Sequence, residues 1–210
     1  MAENNIIILI IVPHSACQYD TITQRRCDKR AKSSAMALLN NIQRLNSKAI
    51  CILYANDNVD RRQIDMNRNI SRNTSWRRNL SLVFEYLKKQ NNNNIIWVID
   101  VHSFPGYDYK TNTDVSKFGK KTKLAILDDT KYSTWHKETE ALFTYLINNV
   151  DEPDIINLIR GSKNDIQDEA RSFGFTSFLI EVNENKQQLQ DKTLNELLML
   201  IAKFLLKYKP

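Results

Sequence analysis

Along this chain two kinds of hydrophobic pattern alternate. Segments 6–12 (IIILIIV), 49–54 (AICILY), 95–101 (IIWVIDV) and 176–182 (TSFLIEV) are apolar at nearly every position. They are short and rich in β-branched residues, so each predicts a strand buried on both faces. A weaker run at 155–159 (IINLI) is a fifth candidate. Between the runs, apolar residues recur at helical spacing. Segment 27–46 predicts a helix through Ala31, Ala35, Leu38, Leu39 and Ile42. Segment 75–90 opens on Ser75, an N-cap candidate, and places Leu80, Val83, Phe84 and Leu87 on one face. Segments 134–150 and 189–208 follow the same rule, and the stripe Leu194, Leu197, Leu198, Ile201 and Leu205 is read as core.

Strands alternating with helices imply right-handed βαβ crossovers. The expected fold is therefore α/β, a three-layer α/β/α sandwich with a mainly parallel central sheet, in one domain spanning 1–210. Stretch 103–133 has little periodicity and contains Pro105, Gly106 and Gly119, so it reads as a long functional loop.

Composition adds limits. The longest apolar run is too short for a bilayer, and the flank MAENN lacks the positive charge of a secretory signal. The expectation is a cytoplasmic protein with no membrane partner. Three cysteines, Cys17, Cys27 and Cys51, are an odd number without CxxC spacing and argue against a disulfide framework. A net charge of +6 admits nucleic acid as a partner, yet it also suits an anionic small substrate. The arginines near Arg68 (Arg61, Arg62, Arg72, Arg77 and Arg78) lack interleaved aromatics, so they read as mostly solvated and nucleic acid is not favoured.

Ligands of open parallel sheets gather outside the carboxyl ends of the strands. There the sequence places His14 after the first run, Asp100 and His102 at the end of the third, and Glu181 near the end of the fourth. The second run leads into a loop carrying Asp65, Asn67 and Arg68. Two imidazoles and a carboxylate suit a catalytic zinc that keeps one open position. His14 and His102 supply two ligands. Asp28, at the start of the first predicted helix, is the favoured third; Cys17 is the competitor and Asp20 a further candidate. Asp28 could equally complement a helix N-terminus. Glu181, costly to bury without a role, is the candidate general base. Arg68 offers a planar fork for a substrate carboxylate, with Asn67 beside it. Asp65 is expected to orient Arg68 or satisfy the loop backbone, and Asp100 to support His102. His136, inside the third predicted helix, reads as packing or surface, and Tyr107 and Tyr109 as packing or reaching the pocket.

In their order, VPHS (12–15), DMNR (65–68), DVHS (100–103) and FLIEVNE (178–184) resemble the N-formylglutamate amidohydrolases, distant relatives of zinc carboxypeptidases and aspartoacylases. The likeness spans roughly 12–184, and 161–184 resembles the family's last helix and strand. It implies a zinc-carboxypeptidase-like fold and one zinc ion held by His14, Asp28 and His102. It also implies a substrate carboxylate on Asn67 and Arg68, with catalysis by Glu181. The sequence departs from the pattern at Cys17, where the carboxypeptidase branch has a ligand glutamate, and at Ala16, where a glycine is usual. The expected activity is hydrolysis of an amide C–N bond in an N-formyl or N-acyl amino acid. A peptide-cleaving metallocarboxypeptidase and a basic binding module with a decayed site are the alternatives.

Overall fold

A computed structural model describes residues 5–16, 27–28, 30–61, 63–90, 94–104, 107–108, 113–114, 118, 121–129, 135–161, 164–184 and 191–208. The strands are β1 (Ile6–Val12), β2 (Ile50–Ala55), β3 (Ile95–Phe104), β4 (Tyr107–Asp108), β5 (Thr113–Asp114), β6 (Leu124–Asp129), β7 (Ile156–Gly161) and β8 (Thr176–Asn183). The helices are α1 (Ala31–Leu45), α2 (Ser75–Lys89), α3 (Lys137–Ile147), α4 (Asp165–Ser172) and α5 (Asp191–Lys207). Six strands form one sheet in the order β2-β1-β3-β8-β6-β7, and β4 and β5 pair separately.

The sheet is parallel except where β6 runs antiparallel to β8. Because a strand's side chains alternate, the all-apolar β1 feeds two cores at once. Ile8, Ile10 and Val12 pack with α1, α3 and α5, while Ile7, Leu9 and Ile11 pack with α2 and α4. Each such side chain contributes about 1.5–3 kcal/mol on burial, which fixes β1 in the sheet and His14 just beyond its end. This is the three-layer α/β/α sandwich expected from the alternating pattern.

Several local expectations change. β6 lies inside the stretch expected to be loop, because one short apolar run (LAIL) sits among polar residues. The N-cap of α2 is Thr74, whose side chain accepts from the Arg77 amide; Ser75 is already helical. His136 lies at the N-cap position of α3 with its Nδ1 2.7 Å from the buried Asp128 carboxylate, not inside the helix. Cys27 is disulfide-bonded and Cys51 is free, against the inference from cysteine count. No described helix is long and apolar enough to cross a membrane.

Candidate metal centre

The sheet register builds the site. His102 on β3 and Glu181 on β8 are direct partners across two parallel strands, so their side chains share one face. Asp100, two residues before His102, points to that face as well. Val12 ends β1, the next strand over, and the turn after it delivers His14. The chain then returns to the same spot, where the Asp28 amide donates to the His14 carbonyl at 2.9 Å.

His14 and His102 lie with ring centroids 4.9 Å apart. One oxygen of Asp28 faces both rings, 2.8 Å from His102 Nδ1 and 3.4 Å from His14 Nδ1. His14, Asp28 and His102 are all buried, and their ligand-type atoms lie within 4.8 Å of one another. Asp28 does not cap α1. That helix begins at Ala31, has Arg30 at its N-cap and carries no acid in its first turn. The carboxylate belongs to the histidines.

The outer ring nitrogens are held by other acids. His14 Nε2 lies 2.9 Å from Asp65 Oδ1, a carboxylate that can only accept, which leaves Nδ1 as the ring atom turned to Asp28. That Nδ1 is buried without a hydrogen-bond partner and faces the Asp28 oxygen. A buried imidazole nitrogen and carboxylate oxygen at this separation suit a shared cation, either a proton or a metal ion. His102 Nε2 lies 3.1 Å from Asp100 Oδ1 and 2.8 Å from Asn67 Nδ2. Asp100 is in turn fixed by the Asn164 amide, which donates to its second oxygen at 2.7 Å. Two imidazoles and one carboxylate, each braced from behind, are the donor set and support that a catalytic zinc requires.

Charges agree with this geometry. Burial would raise the Asp28 carboxyl, but the hydrogen bond from His102 and the proximity of both imidazoles hold it well below the usual range. Burial would lower His102, yet Asp100 and Asp28 on opposite sides of the ring raise it to about 10 in the metal-free protein. Asp65 is likewise held low, since His14, Arg61 and the Asn67 amide outweigh its partial burial.

Beside the cluster is a cavity of about 290 Å³ lined by Asn67, Arg68, His102 and Glu181 among others. Thus His14, Asp28, His102, Asn67, Arg68 and Glu181 all converge on one place. Asp65 does what was expected of it: it accepts from the Asn67 amide at 3.0 Å and lies 3.7 Å from Arg68 Nε. Its bond to His14 was not anticipated.

Three residues at the site escaped sequence reasoning. Arg61 lies 3.4 Å from Asp28 Oδ1 and 3.6 Å from Asp65 Oδ2, binding the two acids together. Asn164 caps α4 through its side-chain oxygen and braces Asp100 through its nitrogen. Arg77, expected to be solvated, is 1% exposed; it donates to the Met66 carbonyl at 2.7 Å and to Glu169 at 2.5 Å. It ties the loop carrying Asn67 and Arg68 to α2 and α4. Cys17, Asp20 and Tyr109 lie outside the described residues, as does the side chain of Tyr107.

No family model matches the sequence, and no curated protein matches it. Solved structures do share its fold. A gene product of Agrobacterium tumefaciens is 10% identical, with a TM-score of 0.59 over 98% of this chain and 90% of that one. The succinylglutamate desuccinylase of Chromobacterium violaceum is 12% identical, with a TM-score of 0.53 over 97% of this chain and 61% of that one. A metallo-carboxypeptidase from Burkholderia cenocepacia is 12% identical, with a TM-score of 0.52 over 97% of this chain and 57% of that one. The chain therefore spans about three fifths of the length of those two enzymes, and the likeness is one of fold.

Proposed function

We propose that this chain is a zinc-dependent amidohydrolase that cleaves the C–N bond of an N-formyl or N-acyl amino acid. The observation that carries the reading is the convergence of His14 Nδ1 and His102 Nδ1 on one oxygen of Asp28, beside a cavity containing Glu181 and Arg68. A zinc ion held by these three residues would supply a Lewis acid that polarises a carbonyl and acidifies water.

The remaining chemistry is assigned to the chain's own groups. Glu181, level with His102 in the adjacent strand, takes a proton from the attacking water and returns it to the leaving amine. A positioned acid/base of this kind contributes about 10²- to 10⁴-fold in rate. Arg68 presents its guanidinium at the cavity wall to hold the substrate's carboxylate, and Asn67 stands beside it next to His102. Fixing the carboxylate orients the scissile bond against Glu181. The cavity's volume is at the small end for ligand sites, which favours a single acylated amino acid over a peptide. The succinylglutamate desuccinylase and metallo-carboxypeptidase with this fold are, by name, enzymes of related chemistry.

The placement of three arginines of the basic cluster supports this reading over a nucleic-acid module. Arg77 is buried, while Arg61 and Arg68 turn toward acids of the site. Metal analysis of the purified protein, combined with deformylation and deacylation assays, tests the proposal. One zinc per chain is expected, with activity lost in His14→Ala and reduced at least a hundredfold in Glu181→Gln. A metal-free protein that cannot be loaded, or turnover indifferent to Glu181, overturns it.

A further inference from the structure

The cavity has a second end. Leu179 on β8, Leu127 on β6 and Ile159 on β7 are register partners in sequence across three adjacent strands. They form a straight apolar row roughly 10 Å long, two strand spacings of about 4.8 Å. Leu179 lies two residues before Glu181 on the same face, so the row starts roughly 7 Å from the Glu181 position. All three side chains line the cavity. None of them belongs to either hydrophobic core. α4 lies over β3 and β8, and α3 packs on the opposite face of β6 and β7. Among the described residues, no helix covers this row.

An apolar row that the core does not use, placed beside polar catalytic groups, is what a ligand's apolar part requires. We infer that the substrate presents an aliphatic group to the Leu179–Leu127–Ile159 row, not a second carboxylate. This rests on the cavity being the substrate site. The N-formylglutamate expected from sequence resemblance would set an ionised side chain against three hydrocarbon ones, which is unfavourable; Arg160, which also lines the cavity, has its guanidinium over Trp135, 4.3 Å from the ring centroid.

Gly161 sets the row's shape. A Cβ there would meet Leu127 Cδ2 at 2.8 Å, so only glycine lets the Leu127 side chain lie where it does. Gly161→Ala must displace the Leu127 side chain, and the added Cβ meets no residue of the metal cluster.

The test compares pentanoate and glutarate binding to the zinc-treated full chain, followed by chemical-shift titration. Both probes offer the same carboxylate to Arg68 or to an ion, so their difference reports the tail. Pentanoate is expected to bind at least tenfold more tightly. Leu127→Asp should abolish that preference, and Leu127→Ala and Gly161→Ala should each reduce it severalfold, with circular dichroism confirming the fold. Equal or tighter binding of glutarate, or a preference untouched in all three variants, overturns the inference. So does the absence of binding by both probes. Two hydrolysis arms then identify the source of the aliphatic group: N-formyl-leucine against N-formyl-glutamate for the side chain, and N-pentanoyl-glycine against N-formyl-glycine for the acyl group. A tail preference without turnover of any of these would sink the catalytic reading and leave the inference standing.

Discussion

Arg77→Met is the substitution that most directly connects fold to site. Methionine keeps the apolar stem but removes the guanidinium, which donates to the Met66 carbonyl at 2.7 Å and pairs with Glu169 at 2.5 Å. Removing one partner of a fully buried pair costs about 3–5 kcal/mol. The Glu169 side chain keeps 15% exposure and retains its bond from Ser81, so the low end applies, about 3 kcal/mol. For a domain of this length that corresponds to about 7 °C in Tm. Denaturant unfolding of Arg77→Met, Glu169→Gln and the double variant gives the coupling directly, expected at about 1–3 kcal/mol. Arg77→Lys should not restore stability, because an ammonium cannot reach both acceptors as the planar fork does. The carbonyl lost is in the Asp65–Arg68 loop, so ligand binding at Arg68 should weaken as well. A stability loss below about 1 kcal/mol would refute the reasoning and return Arg77 to the solvated role its sequence suggests.

Further outcomes follow from the site and its surroundings. Asp65→Asn removes the anion behind His14 Nε2 and should weaken zinc binding about 10- to 100-fold, measured by competition with a chelating dye; unchanged affinity would exclude the bracing role. In the metal-free protein His102 is raised above its unfolded value of 6.5 to about 10. Its contribution is therefore complete below about pH 6.5 and lost as pH rises through 10. Asp28, held low, contributes above its unfolded value of 3.8 and loses that contribution as pH falls through its folded value. The Tm of the metal-free protein should thus decline between pH 6.5 and 10, and less steeply in Asp100→Asn; parallel profiles would contradict the pairing. Burial pushes the Cys51 thiol up to about 11. Native protein at pH 8 should therefore be alkylated by iodoacetamide at that residue about a hundredfold more slowly than unfolded chain, and equal rates would show the thiol to be exposed.

What was legible in the sequence was whatever the chain writes locally. The runs at β1, β3 and β8 announced buried strands because each is apolar on both faces, and His14, His102 and Glu181 followed from where those runs end. α1, α2, α3 and α5 were visible from their 3.6-residue stripes. β6 was hidden because four apolar residues inside a polar stretch do not show a period. The antiparallel pairing of β6 with β8 is a tertiary choice that no local pattern encodes.

Partners distant in sequence were equally hidden. Asn164 and Asp100 are 64 positions apart, and Arg77 and Glu169 are 92 apart. An arginine among arginines looks solvated until its acceptor is known. Asn164 did carry a signal, since an asparagine just before "DIQDEA" is a recognisable N-cap. Its second bond, to Asp100, could be seen only in three dimensions.

In the proposed site two imidazoles and one carboxylate grip a single cation. Crystals grown with zinc and measured on both sides of its absorption edge test it most directly. One anomalous peak is expected about 2.0–2.2 Å from His14 Nδ1, Asp28 and His102 Nδ1. A protein that leaves this position empty while zinc settles on other residues would contradict it.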